Sequence, residues 1–501
     1  LEMAPSGARV WCGGCPPGEE RCGTRGSYGG DDDPLAGTMN MRTRLLLTAA
    51  LLLLGGLPLS ERLRANDDAE AEITLALIGG WLIDGNTPLP FENPVILIAG
   101  NKIKAVGRLG RVRIPTGVNV IDVQGKFILP GLIDAHAHLE GLGLGERDAE
   151  FTDTPEKLRH VILQNARLDL FSGVTSVRDC GSSELVLRLR EQIEAEGPRL
   201  FASGPQFVKR DPTQPSLPLF LEYDGAKVAR RKVREQIAKG IDFVKVRLTR
   251  QRPLPTLEEL LAIVNEAHRA GLKVAVHVDA PHDEAVRLAV MAGADTIEHM
   301  APLRTYDDRL LLEMARRNII LVPTLYQIQA QRVDPLERND EDLIEPPLHN
   351  RLPAEILQAL TQRAALWRRN VLEWRTRGYD PKRTLREAFR SLTRARLLGV
   401  KVALGPDTGS DLIPHGRFYK ELVLYANMGI SPIEVIQMAT RLGAEALGRE
   451  KELGTIEPGK LADLIVVDGD PLLDPEALRH VVLVIKDGRV IEVPRHEAKS
   501  R

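Results

Sequence analysis

Cysteine is nearly absent from this 501-residue chain: there are four, and three of them, Cys12, Cys15 and Cys22, fall within the first 22 residues. Only Cys180 lies beyond, so the body of the protein can gain no internal disulfide. Cys12-Gly-Gly-Cys15 has the spacing of half a zinc site, but no second pair or histidine follows at finger spacing. An excess of either charge is lacking too: 67 Lys and Arg against 69 Asp and Glu leave a net charge of -2. That balance argues against nucleic acid or an acidic membrane as partner. The arginine-rich stretch Arg363 to Arg377 has acidic and apolar neighbours and reads as an ordinary amphipathic helix. No apolar run reaches the roughly 20 residues of a spanning helix.

What is present belongs to a globular protein, 43% hydrophobic and 27% charged. The length suits two or three ordinary domains, or one large barrel with additions. Residues 1–40, loaded with glycine, proline and acidic side chains, cannot build a core and read as disordered or as an upstream extension. Residues 41–65 read as a signal peptide, because Arg42 and Arg44 are followed by the apolar run Leu45 to Leu57 and then Pro58. The expectation is export to a periplasm or to the outside, with no stable membrane insertion after processing. The rival is a buried helix in a cytoplasmic protein, but Thr48 is the run's only polar residue, and a core helix would need more at helical spacing.

From Ile73 to Val123 short β-rich runs alternate with turn signals (ITLALIGG, Asp84-Gly85-Asn86, VILIAGNKI, VNVIDVQGK), and the same grammar returns in ADLIVVDGD and VVLVIKDGRV. This predicts one antiparallel β-sandwich built from two distant segments, 73–128 and 452–493. Between them apolar runs alternate with helical stretches, the pattern of parallel strands with crossover helices. The candidate strands are FILPGLID, GVTSVRD, PRLFASG, IDFVKVRL, LKVAVHV, ADTIEH, NIILVPT and VKVALGPD. Eight of them predict an α/β fold, a (β/α)8 TIM barrel over 129–451. The connection 325–396 is far longer than the others and reads as a lid or specificity element.

In GLIDAHAHLE, His136 and His138 are two apart at the end of a strand, so both side chains leave one face and can grip one ion. Lys245 lies inside a strand among Phe243, Val244 and Val246, where desolvation would lower its pKa and free a neutral amine able to take up carbon dioxide as a carbamate. His277, His299 and Asp407 each stand at or just after the carboxyl end of a later strand, the end where barrel enzymes place their catalytic groups. Any one of these has a structural explanation. Six groups of ligand type at the same end do not share one.

PGLIDAHAHLE, the lysine of FVKV, AVHV, DTIEH and LGPD resemble the ligand motifs of the amidohydrolase superfamily, as does the ending LGTIEPGKLADLIVVDGDPL. The resemblance runs from about Ile73 to Val493. GVTSVRD, EAHRAGLKVAVH, AGADTIEHM and GISPIEVIQMAT point to its imidazolonepropionase-like and prolidase-like branch. The resemblance implies a hydrolase of carbon–nitrogen bonds with two divalent ions, zinc above all, working through an activated water. His136, His138 and Asp407 would hold one ion, His277 and His299 the other, and carbamylated Lys245 would bridge them. Asp407 would also be the catalytic proton carrier. Imidazolonepropionases lack the bridging lysine, so Lys245 favours the two-metal, prolidase-like side and a dipeptide or N-acyl amino acid as substrate.

One departure concerns the substrate. Prolidase-like members often follow the lysine with a glycine-rich threonine turn, whereas here the strand continues Arg247-Leu248-Thr249-Arg250. Arg247 or Arg250 could pair with a substrate carboxylate or simply lie at the surface, and His415 in IPHGRFYKEL could touch substrate or serve to support or cap the neighbouring structure. Cyclic amides, lactones or phosphoesters on the same metals remain the alternative, and a non-catalytic scaffold the alternative of another class. Self-association is left open.

Overall fold

In the computed structural model, which describes residues 72–278, 283–300, 306–337 and 352–493, the chain first builds two small sheets. The segments read as an extension (1–40) and as a signal peptide (41–65) lie outside the described residues, as does 338–351 of the long insertion. No helix among the described residues is long and apolar enough to cross a membrane.

One small sheet contains Lys102–Arg108, Pro94–Ala99, Ile73–Ile78 and Asn119–Asp122. The other contains Arg489–Ile491, Val481–Lys486, Leu464–Val467, Phe127–Pro130, Trp81–Leu82 and Phe91–Glu92. Phe127–Pro130 pairs antiparallel with Leu464–Val467, so segments from the two ends of the domain share a ladder. Strand periodicity explains why these residues are apolar on both faces. Ile128, Leu464 and Val466 point toward Leu75, Leu77, Ile96 and Ile98 of the facing sheet. Their neighbours Phe127, Leu129, Ile465 and Val467 point the other way, into the core of the barrel. The sandwich is not purely antiparallel as the hairpin signals suggest: Ile73–Ile78 runs parallel to Asn119–Asp122, and Trp81–Leu82 parallel to Phe127–Ile128. Between the two strands of each parallel pair the chain crosses to the other sheet and back, so the second can run in the same direction as the first.

The run FILPGLID is two strands, not one. Phe127–Pro130 belongs to the sandwich and Leu132–Ala137 (β1) to the barrel. The break has a local cause: Pro130 has no N–H to continue a ladder, and a Cβ on Gly131 would meet Thr175 Oγ1 at 2.0 Å. The barrel continues with β2 (Val174–Asp179), β3 (Arg199–Ala202, resuming as Gln206–Lys209), β4 (Phe243–Leu248), β5 (Lys273–Val278), β6 (Thr296–Glu298) and β7 (Ile320–Val322). These pair in parallel in chain order. The eighth stave, 401–404, forms no regular strand, because Gly405-Pro406 interrupts it, but it joins both edges. Leu321 N–H donates to Lys401 O (2.9 Å), Ala403 N–H to Leu321 O (3.0 Å) and Ala135 N–H to Leu404 O (2.9 Å).

Helices pack outside this ring. Pro155–Phe171 starts at Thr154, whose side chain caps Lys157 N–H, with Pro at its first position. Leu257–Arg269 starts with a capping box between Thr256 and Glu259. The long insertion contributes Leu325–Ile328, the π-helical turn Gln329–Val333, Asp334–Glu337, Ala354–Thr376 and Pro381–Leu397.

Candidate active site

The carboxyl ends of the staves bring five of the six expected ligands into mutual contact, and the sixth adjoins them. His136 and His138 end β1, and their ring centroids are 5.5 Å apart. The His299 ring, just past β6, is 4.9 Å from that of His136 and 4.3 Å from that of His277 on β5. Lys245 on β4 is 1% exposed and faces inward, with Nζ 3.4 Å from His136 Nε2. Asp407 Oδ1 lies 3.1 Å from His138 Nε2 and 3.5 Å from His136 Nε2.

Buried polar atoms are normally paired, yet Asp407 Oδ1 and His299 Nε2 are buried with no hydrogen-bond partner. Donors at about 2.1 Å from a shared ion stand roughly 3.0–3.4 Å from one another, and Asp407 Oδ1 is close to that spacing from both His138 Nε2 (3.1 Å) and His136 Nε2 (3.5 Å). They group as a metal-binding triad. A second grouping, His136, Cys180 and Glu298, suits an ion less well. Arg178 Nη2 donates to both Glu298 oxygens at 2.8 Å, and burial pushes the Cys180 thiol up to about 12.

Electrostatics prepare these groups as ligands. Burial, reinforced by the Lys245 charge, holds His136 well below the ordinary histidine value, and burial brings His299 down to about 4. Burial alone would raise Asp407, but its contacts with His138 and His136 hold it well below the usual carboxylate range. Burial lowers Lys245 from its ordinary value. Three of the seven non-glycine residues with positive φ among the described residues are His299 (70°), Thr324 (50°) and Asp407 (69°). Such conformations are disfavoured for L-residues and concentrate where geometry must be fixed.

The residues that aim the ligands were not singled out from sequence. Glu298 Oε2 is 2.6 Å from His136 Nδ1, which turns Nε2 toward the site, and Arg178 holds Glu298 in turn. Thr324 Oγ1 is 2.9 Å from His299 Nδ1, and Gln327 Nε2 donates to Asp407 Oδ2 at 2.6 Å. Glu298 and Arg178 sit inside the quoted motifs DTIEH and GVTSVRD, so the signal was present. Gln327 and Thr324 had none, because their roles depend on the tertiary path of the insertion. A Cβ on Gly405 would meet His136 N at 2.4 Å, so only glycine lets the 405–409 turn wrap β1 and deliver Asp407.

Of the two roles open to His415, the structure shows the supporting one. It is 1% exposed and has both ring nitrogens engaged, Nδ1 at 2.7 Å from Asp169 Oδ2 and Nε2 at 3.1 Å from His138 O. It props the backbone of His138. Arg247 and Arg250 face open space. They line a cavity of about 690 Å³ together with His277, His299, Thr324, Gln327 and, from the insertion, Arg332, Tyr379, Thr384 and Ala388. The insertion therefore forms one wall of the chamber.

Where the insertion leaves the barrel, buried Glu421 accepts the N–H groups of Leu325 (3.2 Å) and Tyr326 (2.6 Å), and burial raises its pKa from 4.5 to about 8. A carboxyl whose pKa rises on folding takes up a proton. The resulting penalty is absent below pH 4.5, grows as the pH rises and is complete above 8. Glu421→Gln is expected to lower the melting temperature at pH 5, through one lost backbone acceptor, but to flatten its decline from pH 5 to 9. Parallel curves for variant and wild type would refute this.

The amidohydrolase family model matches residues 127–493. A solved Xaa-Pro dipeptidase with methionine bound in its active site is 27% identical, with a TM-score of 0.66, and the match covers 83% of this chain and 99% of that one. A solved amidohydrolase is 28% identical at the same TM-score, over 84% and 100% of the two chains. The imidazolonepropionase of Fusobacterium nucleatum is 22% identical over 80% of this chain and 92% of its own.

Proposed function

We propose that this chain, which belongs to the amidohydrolase family, hydrolyses the amide bond of small substrates bearing a free carboxylate, either dipeptides of the prolidase type or N-acyl amino acids. The observation that carries the reading is the convergence of His136, His138, Lys245 and Asp407 at 3.1–3.5 Å beneath a cavity whose wall holds Arg247 and Arg250. The relatives reported above support the amide; the arginines support the carboxylate.

As a metal-dependent hydrolase the chain needs ligands for divalent ions. His136, His138 and Asp407 would hold one and His277 and His299 a second, with Lys245 between them. Imidazole and carboxylate donors suit zinc. Bound there, such ions polarise the scissile carbonyl and acidify water at neutral pH. Burial lowers the pKa of Lys245 and so favours its free amine, which can add carbon dioxide through a new N–C bond with release of one proton, giving a carbamate with two donor oxygens. Asp407 enters the reaction ionised. Its two oxygens let one ligate while the other takes a proton from the attacking water and passes it to the leaving nitrogen. The water's oxygen ends on the acyl carbon as the C–N bond breaks, and the amine leaves protonated.

Purified enzyme supplied with zinc should release amines from a dipeptide and N-acyl amino acid library, with about two metal equivalents bound per chain. A fully metallated enzyme that turned over only lactones or phosphoesters, or nothing in the library, would refute the reading.

A further inference from the structure

The insertion adds a third arginine to the chamber, and its state is unusual. Arg332, from the π-helical turn Gln329–Val333, lines both the 690 Å³ cavity and a neighbouring hollow of about 310 Å³ formed with Trp374, Arg377 and Tyr379. Its guanidinium lies over the Tyr379 ring at 5.9 Å, and Nη1 donates to Tyr379 Oη at 3.1 Å. These contacts fix the plane of the fork. Yet Nε is buried with no hydrogen-bond partner, and Arg332 has no ion pair among the described residues. Arg247, half-buried on β4, makes no hydrogen bond or ion pair among the described residues either. Among the described residues, those lining the chamber include no Asp or Glu.

A guanidinium withdrawn from water is normally met by an anion, because the desolvation is otherwise uncompensated. Here two of them, each half-buried, face one chamber with no carboxylate among the described residues of its walls. The guanidinium of Arg332, its plane held by Tyr379, has the fork geometry suited to the two parallel hydrogen bonds of a carboxylate. One substrate carboxylate, as already proposed, occupies Arg247 and Arg250, and it cannot also satisfy a separate cation rising from the insertion wall. We propose that Arg332 is a specificity-determining residue that binds a second carboxylate, so that the substrates are amides of acidic amino acids, carrying two carboxylates. This rests on the amide-hydrolase reading for the identity of the scissile bond but not for the anion preference.

The test is therefore binding, which needs no turnover. N-acetyl-L-glutamate and N-acetyl-L-glutamine are isosteric and differ by one charge. Metal-loaded full-length enzyme is titrated with each by calorimetry, and Trp374, edge-on to Tyr379 at 6.0 Å, gives an independent fluorescence signal. Wild type should favour the glutamate roughly ten- to a hundredfold, the range for a charge-assisted pair. Arg332→Gln should reduce that preference to within about twofold while leaving the affinity for N-acetyl-L-glutamine unchanged, and Arg332→Lys, which keeps charge but not the fork, should retain part of it. Equal binding of the two compounds by wild type overturns the proposal, and this comparison stands even if a variant fails to fold. A preference that survives Arg332→Gln overturns it as well. Loss of affinity for both compounds in Arg332→Gln would mark the residue as a support for Tyr379 and overturn the assignment. The parent reading fails differently, through a metallated enzyme that turns over no amide.

Discussion

Asp407→Asn is expected to keep the fold and much of the bound metal while reducing kcat by roughly 10²- to 10⁴-fold or more. The substitution is isosteric, and Gln327, which donates to Oδ2 at 2.6 Å, can still bond to the amide oxygen. His136 and His138 remain as donors. What disappears is the ionised carboxylate, held well below its usual range by the two histidines, that can accept a proton from water and return it to nitrogen. An amide oxygen cannot do this near neutral pH. The comparison of kcat with metal content separates the roles: a rate loss with metal retained supports proton transfer, and a near-normal rate would end that assignment.

The other large effect is expected at Lys245. Lys245→Ala should cost at least one of the two metal equivalents, measured by elemental analysis of purified protein, and short carboxylic acids such as propionate should restore part of both metal and activity. Removing a buried side chain also leaves a void that destabilises the core, so Lys245→Met, which nearly conserves volume, serves as the control. If the lysine acts as a ligand, both variants lose metal, but only the alanine leaves room for the added acid. Unchanged metal content in either variant would make Lys245 a bystander whose contact with His136 is incidental.

Much of this could be read from sequence for a physical reason. Strand period and the carboxyl-end rule together fix where a side chain points, so His136, His138, Lys245, His277, His299 and Asp407 could be placed at one mouth before any coordinates. The helices Pro155–Phe171 and Leu257–Arg269 carry their start signals locally, in Thr154-Pro155 and in the Thr256–Glu259 capping box. Gly131 was not read as a boundary, because both halves of FILPGLID are apolar and only their partners differ. His415 could not be placed, since a histidine in a loop looks the same whether it turns toward substrate or toward Asp169. The aiming contacts from Gln327 and Thr324 likewise join elements far apart in the chain, and no local pattern announces them.

The shared ladder between Phe127–Pro130 and Leu464–Val467 has a consequence for how the molecule comes into being. An emerging polypeptide displays the earlier strand, apolar on both sides, while about three quarters of the sequence is still to be made. The ring waits for the stave 401–404 and for Asp407 just after it, and the sandwich waits longer, for Leu464–Val467. Long-range pairing of this kind is slow to form and exposes sticky intermediates. Assembly of the domain is thus gated by the synthesis of its last strands.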